Sequence, residues 1–146
     1  MSDEKYAKVL TANDTGQSGT HQAGIHIPKA QEELIKMLPQ LDGRVKNPDA
    51  WLTCSDFQGR RWLLRYVYYN NRLHEPGGTR NEYRITHTTR FFKAIGAKPG
   101  DIFTLSGYAG CSVYGIDVTH PEGSPASVRS VVAAGLVRLR GWRRLH

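Results

Sequence analysis

Apolar and polar residues alternate along most of this chain with a period near two, the spacing of half-buried strands. The runs KYAKVL (5–10) and AGIHI (23–27) predict short strands on either side of a polar, glycine-bearing loop at 11–20. Pro28 suits a helix start, and AQEELIKML then places Leu34, Ile35 and Leu38 on one helical face. After a connection at 39–49, AWLTCSDF and RRWLLRYVYY read as a hairpin turning at Gln58-Gly59. Trp51, Trp62, Tyr66 and Tyr68 fall where core is expected. Residues 70–81 form a loop with Pro76-Gly77-Gly78, and EYRIT alternates as a strand. Thr88 is a candidate cap for a second short helix with Phe91, Phe92 and Ile95 facing inward. KPGD marks a turn, DIFTLSGY and CSVYGIDV pair as another hairpin, and SVVAAGLVRLR near the end reads as a strand. With no repeat and no linker, residues 1–146 form a single domain: mainly β with two short helices (α+β), barrel-like.

Composition narrows the class. At 146 residues the chain is long enough for a real core. Its hydrophobic content of 39% excludes a disordered protein. A membrane helix needs roughly 20 consecutive apolar residues. No apolar run approaches that length and no signal-like segment follows Met1, so a membrane is not an expected partner. The two isolated cysteines, Cys54 and Cys111, suit a reduced, cytoplasmic prokaryotic protein. Twenty Lys and Arg against thirteen Asp and Glu give a net charge of +7, which favours a polyanionic partner. The cations are mostly arginines and cluster: Arg72, Arg80, Arg84 and Arg90 around the second loop, and Arg129, Arg138, Arg140, Arg143 and Arg144 near the end.

Enzyme chemistry finds little footing. A common metal-dependent nuclease site needs Pro-Asp followed by Asp/Glu-x-Lys. Pro48-Asp49 is present, but the only such triplet, Asp3-Glu4-Lys5, precedes it. GQSGT (16–20) lacks the lysine of a phosphate-binding loop. His21 and His26 lack the cysteine pair or spaced carboxylate of a metal site. Cys54 with His74 or His87 could form a nucleophile–base pair, but nothing local supports it. No catalytic residue, metal or cofactor is therefore assigned, and the chain is not expected to be an enzyme by itself. A complete small metal-dependent nuclease is the alternative from another class.

Two stretches carry a resemblance. TANDTGQSGTHQAGIHIPK (11–29) and YYNNR, continuing to GGTRNEYRIT (68–86), resemble in order two stretches of the N-terminal, effector-binding domain of EcoRII-type restriction endonucleases. The chain departs from that pattern at Gly78 and Tyr83, each in place of a lysine, at His26 in place of a tyrosine, and at His87-Thr88-Thr89-Arg90. The resemblance implies a DNA-binding pseudobarrel shared with plant B-three transcription-factor domains, in which two loop arms clasp the duplex from the major-groove side. It implies double-stranded DNA as partner, CCWGG or a related site as target, and a role as effector or targeting domain of a type II restriction endonuclease. Any nuclease domain or subunit would lie outside this chain. The isolated domain is expected to bind DNA as a monomer, and a free-standing DNA-binding regulator is a further alternative.

The residues suit that chemistry. Major-groove base edges are distinguished by hydrogen-bond pattern, which forked arginines, amides and acids can read. The candidate DNA-contacting residues are Asn13, Asp14, Thr15, Gln17, His21, Gln22 and His26 in and after the first loop. In and after the second they are Arg72, Arg80, Asn81, Glu82, Arg84 and Arg90. Glu82 either reads a cytosine amino group or holds Arg80 or Arg84 in place. Asn13 and Asp14 either contact DNA or shape their loop. Glycines 16, 19, 24, 77 and 78 are expected to let the backbone approach the groove.

Overall fold

The computed structural model describes residues 3–16, 24–121 and 141–145. The alternating runs become strands β1 (Glu4–Val9), β2 (Ile25–Ile27), β3 (Asp49–Ser55), β4 (Arg61–Tyr69), β5 (Glu82–Thr86), β6 (Ile102–Gly107), β7 (Tyr114–Thr119) and β8 (Trp142–Leu145). They form one sheet in the order β2-β5-β4-β3-β7-β6-β1-β8. Its pairings are antiparallel except for a short parallel contact, Cys54 with Tyr114 and Ser55 with Gly115.

The two edge strands meet and nearly close the sheet into a barrel. The Trp142 indole N–H of β8 donates to the His26 carbonyl of β2 at 3.0 Å, and the Gln31 amide donates to the Trp142 carbonyl at 2.9 Å. Period-two patterning points one residue set inward. Tyr6, Ile25, Ile27, Leu52, Leu64, Tyr66, Ile85, Phe103, Leu105 and Trp142 fill the interior with almost no exposure. Leu34 and Met37 of α2 (Glu32–Met37) and Phe91 and Phe92 of α4 (Thr89–Ile95) join this core.

Several expectations change. Instead of two helices, four helical segments occur among the described residues. The added pair, α1 (Ala12–Thr15) and α3 (Asn71–His74), are single turns inside the two polar loops, too short to show a periodicity. The first helix of the expected pair starts at Glu32, not at Pro28, because residues 28–31 form a turn closed by Gln31 N–H to the Pro28 carbonyl at 2.9 Å. Thr88 precedes α4 but its side chain makes no capping hydrogen bond. Trp51 is 52% exposed, because its position in β3 has the outward parity of Thr53 rather than the inward parity of Leu52 and Cys54. The expected strand at 130–140 lies outside the described residues, and the terminal strand that is described, β8, follows it.

Candidate nucleic-acid interface

The register fixes where the two polar loops stand. β2 runs antiparallel to β5, with Ile25 opposite Ile85 and Ile27 opposite Tyr83. The β1–β2 loop therefore enters at Gly24, beside the Thr86 end of β5, whereas the β4–β5 loop enters at Glu82, the other end. Four residue steps of about 3.4 Å put roughly 14 Å between the two roots. Between them lies the outward face of β2, β5 and β4. Because Ile25, Ile27, Ile85 and Tyr66 point inward, His26, Glu82, Arg84 and Tyr69 share this outward face.

A charged cluster occupies it. Glu82 Oε1 accepts from Arg80 Nε at 3.0 Å, and Glu82 Oε2 accepts from Arg84 Nη2 at 3.0 Å. Arg84 Nη1 also donates to the Gly24 carbonyl at 3.1 Å, joining the root of the first loop to the root of the second. The Arg80 guanidinium lies 3.7 Å from the centre of the Tyr69 ring. This cation–π contact fixes the plane of the guanidinium. His26 Nε2 is 4.0 Å from Glu82 Oε2. Burial alone would raise the Glu82 carboxyl, but the hydrogen bonds from Arg84 and Arg80 outweigh it and hold the group below its ordinary range. Burial first, and the Arg84 charge second, push the His26 imidazole down. At neutral pH the cluster thus combines two oriented guanidinium groups, one carboxylate and a neutral imidazole.

Each loop is locally braced. In the first, Thr11 and Asp14 form a capping box: Asp14 N–H donates to Thr11 Oγ1 at 3.1 Å, and Thr11 N–H donates to Asp14 Oδ2 at 3.0 Å. Lys8 closes on the same carboxylate at 2.5 Å, and Asp14 is only 4% exposed. Of the two roles expected for Asp14, this burial and pairing match the shaping of its loop. Thr15 is turned back on the carbonyls of Thr11 and Ala12, both at 3.3 Å, while Asn13 is exposed. Gln17, His21 and Gln22 lie outside the described residues.

In the second loop the fully buried Asn70 is the anchor. Its side chain accepts from Asn47 N–H at 2.7 Å and donates to the carbonyls of Val45 at 2.9 Å and Gly43 at 3.2 Å. Arg72 N–H and Arg80 O, 3.0 Å apart, then staple the loop across its neck. The glycine requirement here is internal. A Cβ on Gly78 would stand 2.3 Å from the Asn71 carbonyl oxygen. One on Gly24, at φ +90°, would stand 2.4 Å from that of Ile85, so neither position accepts a side chain. Asn81 is partly committed, its Oδ1 accepting from Lys29 at 2.6 Å and also from the Tyr68 hydroxyl. Arg72 lies on α3 and Arg90 on α4, both exposed.

The structure brings together His26, Arg80, Glu82 and Arg84. Sequence reasoning missed Lys8, Tyr69 and Lys29, which position members of the site. Lys8 looked like an ordinary strand residue, and the aromatic Tyr69 just before the loop was the one available signal. Among the described residues, two of the enzymatic candidates are already engaged or buried. Asp49 is paired with Arg65 at 2.6 Å, and Cys54 is buried with its thiol pushed up to about 12 by desolvation. Among the described residues no group of three or more His, Cys, Asp or Glu side chains could hold a metal ion, and no helix is long and apolar enough to cross a membrane.

Comparison with known proteins decides the family. The model described as "Restriction endonuclease EcoRII, N-terminal" matches residues 2–101, a span that includes both loops and the cluster between them. The chain belongs to this family. The type II restriction enzyme EcoRII of Escherichia coli is 42% identical over 89 residues, covering 56% of this chain. That match takes in only 20% of the longer enzyme. A solved Arabidopsis FUS3–DNA complex is similar with a TM-score of 0.56 and 22% identity, covering 78% of this chain and 94% of that one. The N-terminal domain of Helicobacter pylori LlaJI.R1 aligns with a TM-score of 0.53 and 12% identity over 98% of each chain. At such identities the likeness is one of fold. The EcoRII N-terminal fold here is the mainly β, B-three-like pseudobarrel that the sequence led us to expect.

Proposed function

We propose that this chain binds double-stranded DNA sequence-specifically, its two loops acting as arms in the major groove and the face between them reading base edges. The observation that carries the reading is the Arg80–Glu82–Arg84 clasp at the roots of both arms. A single ion pair would serve stability alone, whereas the ring beneath Arg80 and the Gly24 carbonyl at Arg84 also fix the direction of each guanidinium group. Donors aimed at a guanine edge gain orientation. The roughly 14 Å between the arm roots suits a major groove about 12 Å wide. Family membership and the DNA-bound FUS3 relative of the same fold support the choice of partner.

The same family membership supports CCWGG or a related site as the target, and a role as the effector or targeting part of a type II restriction endonuclease. Its nuclease domain or subunit is then a partner outside this chain. The isolated domain binds as a monomer and does not cut.

Selection of binders from random duplexes tests partner and sequence together. Enrichment of a CCWGG-like site is expected. If about five phosphates are contacted, the log–log salt slope should lie near −4 to −5. Equal affinity for every duplex, or a slope near zero, overturns the reading. Magnesium-dependent cleavage by the pure chain, lost in Asp49→Ala, would replace it with the nuclease alternative.

A further inference from the structure

The outward face of the sheet does not stop at Arg84. Successive cross-strand rows continue it: Thr86, Arg65 and Trp51, then Leu63 with Thr53, then Arg61 with Ser55. The last rows, together with the start of α4, border an open groove of about 780 Å³. Its walls are Arg61 and Leu63 of β4, Thr53 of β3, and His87, Thr89 and Arg90 before and within α4.

Three properties define what fits there. The first is charge. Arg61 and Arg90 are both exposed, and neither meets a carboxylate within ion-pair distance among the described residues, whereas Arg60, Arg65, Arg80 and Arg84 are all paired. Among the described residues no acidic side chain lines the groove. The second is its apolar border: Leu63 is 61% exposed and Trp51 52%. His87, at φ +65°, keeps its ring 4.9 Å from that of Trp51. A non-glycine residue adopts that backbone conformation only at some cost in energy. Cations and hydroxyls beside exposed apolar surface match a chain alternating anionic and apolar units, as a sugar–phosphate backbone does. The third is position. Leu63 lies on β4 four positions before Val67, the residue opposite Arg84. That separation is about 13 Å at roughly 3.3 Å per residue. Arg84 stands midway between the arm roots, so a major groove about 12 Å wide ends near the Thr86 root, and Leu63 lies two residues, about 7 Å, beyond it, where backbone flanking the read sequence runs.

We propose that this groove seats the sugar–phosphate backbone of duplex DNA flanking the read sequence, as a second contact that is indifferent to sequence. The proposal rests on the reading of the Arg84 face above, and the test separates the two. Affinity is measured for a duplex holding only the selected site, and for the same site extended by about one helical turn, roughly 10 base pairs, on each side. The wild-type chain should bind the extended duplex more tightly. The variant Arg61→Ala should lose about threefold on the extended duplex and little on the short one, with the salt slope shallower by about 1. Its preference for the site over a mutated site should be unchanged. A variant that keeps both the gain from flanks and the wild-type slope overturns the proposal. If the wild-type chain discriminates no sequence, the reading of the Arg84 face fails, while length and salt dependence still judge the groove. Circular dichroism confirms that the variant, altered only at the exposed Arg61, is folded.

Discussion

The Arg84 face and the Arg61–Arg90 groove are both arginine-bearing parts of one outward surface, but their arginines are held differently. Arg80 and Arg84 share Glu82, and each has an additional contact, a ring or a carbonyl. Arg61 and Arg90 have no carboxylate partner among the described residues. A paired arginine has part of its field cancelled by the carboxylate and gains a fixed direction, which suits choosing between base edges. An unpaired one keeps its full field and its freedom, which suits a phosphate wherever it lies. The sum of charge alone, +7, does not separate these roles.

The sharpest way to break this distinction is to displace the arm that orients Arg80. Asn70→Ala leaves the Val45 and Gly43 carbonyls and the Asn47 N–H without their partner. It should destabilise the fold by about 2 kcal/mol in urea denaturation, since three hydrogen bonds worth about 0.5–1.5 kcal/mol each are lost while water reaches the exposed Gly43 and Val45. If stability is unchanged, the second arm is not anchored as described.

Arg84→Ala probes direction itself. It should cost about 2 kcal/mol on the selected site, as expected for loss of one forked base contact, and much less on unrelated duplexes. Uniform weakening across all sequences would make Arg84 no different from Arg61. Glu82→Ala carries a sign rather than a size. Removing a negative charge near DNA should tighten binding if only charge matters. Releasing two oriented guanidinium groups should weaken specific binding by about 1 kcal/mol. Tighter binding to the target in a titration would merge the two regions into one basic patch.

The smallest effect concerns acid stability. The folded state holds the Glu82 carboxyl below its ordinary value of 4.5. Its stabilising contribution is therefore complete above that value and is lost as pH falls through the folded-state value. Glu82→Gln should flatten that acid-side limb of the stability curve. An unchanged limb in thermal unfolding below pH 4.5 would show that Glu82 is no more tightly held than a free carboxylate.

Strand positions were legible because a barrel wall imposes strict inward–outward alternation, and EYRIT or RRWLLRYVYY cannot satisfy it in a helix. The arms were legible as polar interruptions of that alternation. Trp51 was misjudged because hydrophobicity suggests burial while only register assigns a side to a strand residue. The turns α1 and α3 were invisible because so short a segment carries no period. Arg80, Glu82 and Arg84 were visible as candidates, but their mutual pairing, and the link from Arg84 to the distant Gly24, depend on β2 lying against β5. No local pattern encodes that adjacency. The reason for Gly78 was equally hidden, since the Asn71 carbonyl it accommodates becomes close only once the loop is folded.

The place of β1 has a consequence during synthesis. Its two neighbours are β6 and β8, so nothing it pairs with has been translated when it leaves the ribosome. The first partner residue to appear is Ile102, opposite Val9. At ordinary elongation rates that wait lasts about 5–20 s. Throughout, Tyr6 and Ala7 belong to an unpaired strand that would accept any other strand as a partner. The charges of Glu4, Lys5 and Lys8 along this short segment deter such pairing while the chain waits. Until β6 emerges, these charges are the protection that β1 itself carries against pairing with a stray strand.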